Sequence, residues 1–165
     1  RQTRFVLDTH LGTLAVYLRM VGFDTLYSND YGDETLARIS SGEGRILLTR
    51  DRELLKRNMV THGYWLRATD PRQQLVEVVR RFDLFRAVAP FQRCLRCNGL
   101  LEPVPKNAVS DRLQPKTSQY YDEFSICKTC DRVYWKGSHY RRMQRFIGHL
   151  LEQEHAASSR VPRGP

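Results

Sequence analysis

The sequence predicts an α/β fold: a small parallel sheet with helices on both faces, followed by a separate cysteine-bearing module. Three observations carry this. Short aliphatic runs alternate with helix-period segments over residues 1–89, in the order βαβαβαβα. The alternation breaks around Phe85–Phe91, with Pro90 at the boundary. All four cysteines lie beyond that point, as two Cys-x-x-Cys pairs. Strands that alternate with helices are joined by crossovers, which makes the sheet parallel and the crossovers right-handed.

Arg4–Leu7 is a short apolar run that stops at Asp8. Leu11, Leu14, Ala15, Leu18 and Val21 follow at helical spacing, and Gly22 is placed to end that helix. Phe23–Tyr27 reads as a second strand. Asp33 and Glu34 open a second helix, through Leu36, Ala37 and Ile39 to Gly42. Arg45–Thr49 is the clearest strand. Asp51–Met59 is expected to be helical and Gly63–Arg67 extended. Pro71 starts a fourth helix with its stripe at Leu75, Val78, Val79 and Phe82. Residues 103–118 hold three prolines and read as a loop, and the last helix is expected over Tyr140–Leu151. The expected divisions are 1–89 for the sheet domain, 90–152 for the cysteine module with its helix, and 153–165 for a disordered tail.

Apolar residues make up 41% of the 165 and charged residues 27%, which places the chain among soluble globular proteins. No apolar run approaches the ~18 residues of a membrane span. A membrane protein, a disordered chain, a collagen and a coiled coil are excluded. The net charge of +9 favours a polyanionic partner, either nucleic acid or an acidic membrane surface. Residues 1–90 carry +3 of it and residues 91–165 carry +6. No secretory signal is visible, and the strand-like run begins almost at once. We therefore expect a cytoplasmic protein, and a fragment of a longer chain at this end. The segment Ser159–Pro165 is given no role.

In a parallel sheet the crevice lies at the carboxyl ends of the strands. Every strand-to-helix junction here carries an aspartate: Asp8, Asp33, Asp51 and Asp70. Carboxylates brought together repel unless a cation compensates. Hard ions such as Mg²⁺ or Mn²⁺ take oxygen ligands and support phosphodiester cleavage. The competing reading is that each aspartate caps a helix, and Asp33 and Asp70 are the most cap-like. Glu34 or Asp30 can replace Asp33 as a ligand. Arg50 and Arg52 flank Asp51 and suit phosphate; a solvated charge cluster is the alternative.

Cys94, Cys97, Cys127 and Cys130 form two knuckles separated by 29 residues. Four thiolates in tetrahedral array suit a structural Zn²⁺. An iron site, redox dithiols and a disulfide framework are the alternatives. Downstream, aromatic and basic residues interleave: Trp135, Lys136, His139, Arg141 and Arg142. They are candidates for stacking bases and contacting phosphates. Tyr134 and Trp135 can instead be the module's small core.

These residues resemble a known family. Phe5-Val6-Leu7-Asp8-Thr9-His10-Leu11-Gly12, Tyr17–Asp24, Arg45–Asp51, Cys94-Leu95-Arg96-Cys97-Asn98 and Tyr134–His139 are similar to the Mut-seven C-terminal ribonuclease family. The resemblance covers residues 3–150. It implies a PIN-like three-layer α/β/α domain with an appended zinc ribbon, and a divalent-metal ribonuclease site. By position, Asp8 and Asp51 match the family's acidic motif residues, and Asp33 matches the acid opening the second helix. Asp70 falls at a less regular acidic position. Bacterial members often bear an N-terminal ubiquitin-like domain. The expected function is metal-dependent hydrolysis of RNA, with no membrane partner. The alternative is a non-catalytic RNA-binding module acting beside another nuclease.

Overall fold

A computed structural model of the chain describes residues 2–160. The elements of the first part are β1 (Phe5–Leu7), α1 (Gly12–Met20), β2 (Thr25–Leu26), α2 (Asp33–Glu43), β3 (Ile46–Thr49), α3 (Arg52–Leu55), β4 (Gly63–Trp65) and α4 (Pro71–Arg81). The expected elements are all present, most a residue or more shorter at their ends. The helix expected over Asp51–Met59 shrinks to the single turn α3. Beyond it the chain reaches β4 through Val60, whose N–H bonds the Arg57 carbonyl.

The sheet is parallel throughout, in the order β2-β1-β3-β4. Phe5 pairs with both Thr25 and Ile46, and Leu7 pairs with Leu48. Phe5, Val6 and Leu7 are fully buried, as a central strand covered on both faces requires. Val6 and Leu47 pack with Leu36 of α2 and Leu54 of α3 on one face. Phe5 meets Phe23 and Phe82 edge-on at about 6 Å on the other, and α1 packs on α4. This gives the three layers of the predicted α/β/α fold.

Gly22 ends the α1 turn at φ +103°, and a Cβ there would lie 2.2 Å from the Ala89 carbonyl oxygen. The Ala89 N–H in turn bonds the Val21 carbonyl. Strain and clash add at this position, so Gly22→Ala is expected to destabilise the protein by about 3 kcal/mol. Urea unfolding of the two proteins measures it.

The remaining elements are β5 (Leu101–Val104), α5 (Lys106–Val109), a 3-10 turn (Ser110–Arg112), α6 (Pro115–Tyr120), β6 (Phe124–Cys127), β7 (Val133–Tyr134) and α7 (Ser138–Arg160). The loop expected over 103–118 therefore contains short helices. Pro105 caps α5 and Pro115 occupies the first turn of α6, where a missing N–H costs nothing. The strands β5, β6 and β7 form a second sheet in that order.

α7 corrects the expected tail. Residues 153–160 continue the helix rather than ending it, because no Gly or Pro interrupts Leu151–Arg160. Residues 161–165 lie outside the described residues. Tyr140, Met143, Ile147 and Leu150 form the buried stripe of α7. No helix among the described residues is long and apolar enough to cross a membrane.

Two compact units result. One is Arg1–Glu102 with Ile126–Arg132; the other is Pro103–Ser125 with Val133–Pro165. This division differs from the sequence boundary at Pro90, since both cysteine pairs group with the four-stranded sheet.

Candidate active site and metal centre

The order β2-β1-β3-β4 makes β1 and β3 neighbours whose following connections run to opposite sides. Such a switch point opens a crevice at the carboxyl ends of those two strands. Asp8 follows β1 directly and is 8% exposed. Its Oδ1 accepts from the Thr9 N–H at 2.7 Å, and its Oδ2 accepts from the Thr49 hydroxyl at 2.7 Å. Thr49 ends β3 and is fully buried. Its hydroxyl oxygen also accepts from the Asp51 N–H at 2.9 Å. One hydroxyl therefore ties the two junctions together. Thr49 was not a sequence candidate; the available signal was a hydroxyl at the end of an otherwise aliphatic strand.

The other carboxylates are exposed helix-start residues. The Asp51 side chain caps α3 by accepting from the Glu53 N–H, and Asp70 caps α4 by accepting from the Gln73 N–H. Asp33 is the first residue of α2, where Gly32 is the cap. Glu34 pairs with Arg38 at 3.1 Å, and the Asp30 N–H bonds the Ser28 hydroxyl. Asp8, Asp51 and Asp70 thus cap the turns that follow them, as the capping reading expected, whereas Asp33, expected to be among the most cap-like, follows the cap Gly32; the parallel sheet directs these turns to one edge. They do not form a tight cluster. Among the described residues, the one group of three or more candidate metal-binding side chains within 4.8 Å of one another is the cysteine quartet.

Arg50 and Arg52 have separate surroundings. The Arg50 Nη1 donates to the carbonyls of Leu66 and Arg67, both at 2.8 Å, and of Ala68 at 3.3 Å. It ties the loop after β3 to the segment after β4, a structural task that composition did not reveal. Arg52 instead lies over the Trp65 ring, 4.1 Å from its centroid. Glu77 steadies the same segment: its carboxylate accepts from the N–H groups of Arg67 and Ala68 and from the Tyr64 hydroxyl. Burial pushes the Glu77 carboxyl up, but those three donors outweigh it and hold it below its ordinary range.

The cysteine pairs adopt one repeated geometry. The Cys94 N–H bonds the Gly99 carbonyl, and the Cys127 N–H bonds the Arg132 carbonyl. The Asn98 and Asp131 N–H groups reach back to the Cys94 and Cys127 carbonyls. Asn98 and Asp131 take positive φ, 70° and 69°, which Asn and Asp tolerate better than most residues. The sulfur separations Cys94–Cys130 and Cys97–Cys127 are 3.6 and 3.4 Å. These are too long for a disulfide. A tetrahedron with metal–sulfur bonds of about 2.3 Å places its sulfurs about 3.8 Å apart, so the quartet fits a four-coordinate zinc. Desolvation pushes the Cys97 thiol up to about 12, and hydrogen bonds shared with the other three thiols add to it. A bound cation is what lets such thiols ionise.

The first knuckle is held against the sheet. Asn98 accepts from the Thr25 N–H of β2 at 3.0 Å and donates to the Asp24 carboxylate at 2.7 Å. Arg19, nearly buried on α1, donates to the Thr25 and Leu95 carbonyls. Asp24 also pairs with Arg45 at 2.8 Å. Burial raises the Asp24 carboxyl, but the hydrogen bonds from Arg45 and Asn98 and the charges of Arg45 and Arg93 overcome this and hold it below its ordinary range.

The basic and aromatic candidates lie in the second unit. Trp135 is half-buried against Phe124, 6.2 Å between ring centres. Lys136 and Arg142 are exposed, and His139 lies exposed in the first turn of α7. Arg141 stands over the Tyr121 ring at 5.4 Å.

The fold and these two sites together define an α/β domain with aspartates along one sheet edge and a four-cysteine cluster, consistent with a zinc ribbon, that could hold a metal ion. Residues 3–147 match the model of the Mut7-C RNAse domain, so the chain belongs to that family. The family carries a ribonuclease role and makes RNA the substrate class. No curated protein and no solved structure is significantly similar to the chain.

Proposed function

We propose that this protein is a divalent-metal-dependent ribonuclease that hydrolyses RNA phosphodiester bonds, and that its cysteine quartet holds a structural zinc. The observation that supports the catalytic part is the link from Asp8 through the Thr49 hydroxyl to the Asp51 N–H at the sheet's switch point. Asp8 and Asp51, with Asp33 and Asp70 at the same edge, are the oxygen donors for Mg²⁺ or Mn²⁺. Such an ion supplies charge neutralisation and Lewis acidity at the phosphate. The chain's own residues do the rest. Thr49 fixes the direction of the Asp8 carboxylate, and the Asp51 loop is anchored by Arg50. The exposed Lys136, His139, Arg141 and Arg142 offer the second unit's contacts to RNA, with Trp135 behind them. The cytoplasm is the compartment that suits both the reduced thiols and the substrate.

Incubation of the protein with mixed RNAs and Mn²⁺, against EDTA, tests the reading. Cleavage with Mn²⁺ alone is expected, and mapped product ends give the mode of attack. Thr49→Val is expected to lower kcat tenfold to a hundredfold by freeing the Asp8 carboxylate, whereas Thr49→Ser restores most of it. A second reading is favoured by the capping of α3 and α4 by Asp51 and Asp70: an RNA-binding module without catalysis. It is the outcome if RNA binds with steep salt dependence while no divalent ion supports cleavage.

A further inference from the structure

We propose that Trp65 is a positioning residue for RNA: it holds the Arg52 guanidinium over its ring, and Arg52 then binds a backbone phosphate beside Asp51. The identity of the polyanion rests on the ribonuclease reading; the device itself stands on separate contacts. Trp65 ends the edge strand β4 and pairs in register with Thr49. Its Nε1–H donates to the Arg50 carbonyl at 3.1 Å, which fixes the indole against the loop that carries Asp51. The Arg52 guanidinium lies over that indole at 4.1 Å.

Contact with the indole holds the guanidinium in place without using its N–H donors in a hydrogen bond. Arg52 is exposed, and no hydrogen bond or ion pair engages it among the described residues. The neighbouring acids are already engaged. Glu53 pairs with Lys56 at 2.9 Å, and the Asp51 carboxylate caps the Glu53 N–H. Arg50, by contrast, spends its Nη1 on three backbone carbonyls. Of the two arginines flanking Asp51, Arg52 is therefore the one presented to a ligand. A planar fork held in place loses little side-chain freedom when it grips a phosphate through two oxygens. Indole is also the strongest aromatic partner for a cation.

Binding of a fluorescein-labelled oligouridylate, measured without divalent ions in an Asp8→Asn background, isolates this device from catalysis. Arg52→Gln is expected to weaken binding about tenfold and to reduce the salt slope by about 0.7, the share of one phosphate. Trp65→Leu should reproduce both changes although Arg52 remains, and Trp65→Phe should stay within about threefold of the parent. The double variant Trp65→Leu/Arg52→Gln should bind no more weakly than Arg52→Gln alone. With Trp135→Phe, Trp65 is the sole indole; its emission should shift on adding RNA, and Arg52→Gln should abolish that shift. Unchanged affinity in Trp65→Leu, losses that multiply in the double variant, or an emission shift that survives Arg52→Gln would overturn the proposal. Failure of the wild-type protein to cleave RNA overturns the ribonuclease reading instead, and leaves these binding results to decide on Trp65.

Discussion

Asp8→Asn is expected to reduce RNA cleavage about a thousandfold or more while the protein stays folded and still binds RNA. The asparagine keeps the shape of a side chain that is 8% exposed and sits between the Thr9 N–H and the Thr49 hydroxyl. The Thr49 hydroxyl can turn to accept from the new amide, so the change in stability should stay within about 2 kcal/mol. What is lost is the negative charge that a hard cation needs. Several kcal/mol of charge stabilisation at the phosphate corresponds to about three decades in rate. RNA affinity should hold or rise, since an anion is removed near the substrate. Labelled RNA, Mn²⁺ and a thermal melt of both proteins suffice; a variant that folds and cleaves at the wild-type rate would remove Asp8 from catalysis.

Removing zinc should have the largest effect on stability. Chelation leaves four crowded sulfurs without a cation, Cys94→Ser leaves three and an incomplete ligand set, and structural zinc sites supply about 10 kcal/mol or more in small modules. The effect should not stop at the knuckles, because Asn98 and Leu95 of the first knuckle receive or give hydrogen bonds to β2, Asp24 and Arg19. Melting of the four-stranded sheet is therefore expected to shift down by more than 10 °C, and the apparent stability to follow free zinc concentration. Asn98→Ala should cost about 2 kcal/mol yet keep one zinc per protein, because it cuts the contact and leaves the ligands. Metal analysis alongside calorimetry separates the two. An unchanged melting temperature after complete metal removal would show the quartet to be dispensable.

Much of the fold was legible because its signals are local. Continuous aliphatic strands, helix-period stripes and paired cysteines each report on a few neighbouring residues, and so β1 through α4 and the two knuckles could be placed. The strand order was not legible, because pairing β1 with both β2 and β3 is settled by packing on two faces at once. The site divides in the same way. Aspartates after strands were visible as letters, but the Thr49 bridge depends on the spacing between two parallel strands. Arg50 and Arg52 look equivalent in sequence; only the carbonyls after β4 and the face of Trp65 distinguish them. α7 ran past its expected end because Leu151–Arg160 lacks a stop signal, and the stripe from Tyr140 to Leu150 shows only where burial ends.

The knuckles also have a topological consequence. A metal held by the quartet would join Cys97 to Cys127 and so close the 29 residues between them into a ring. The cost of closing a flexible ring grows only as the logarithm of its length, with about 0.6 kcal/mol for each doubling. Such a clasp would make the stability of the sheet edge that holds Asp8 and Asp51 depend only weakly on the length of that excursion. Within that ring residues 105–121 are folded: Val109 is buried and Tyr121 lies under Arg141, so length changes are expected to be borne best where they spare those two side chains.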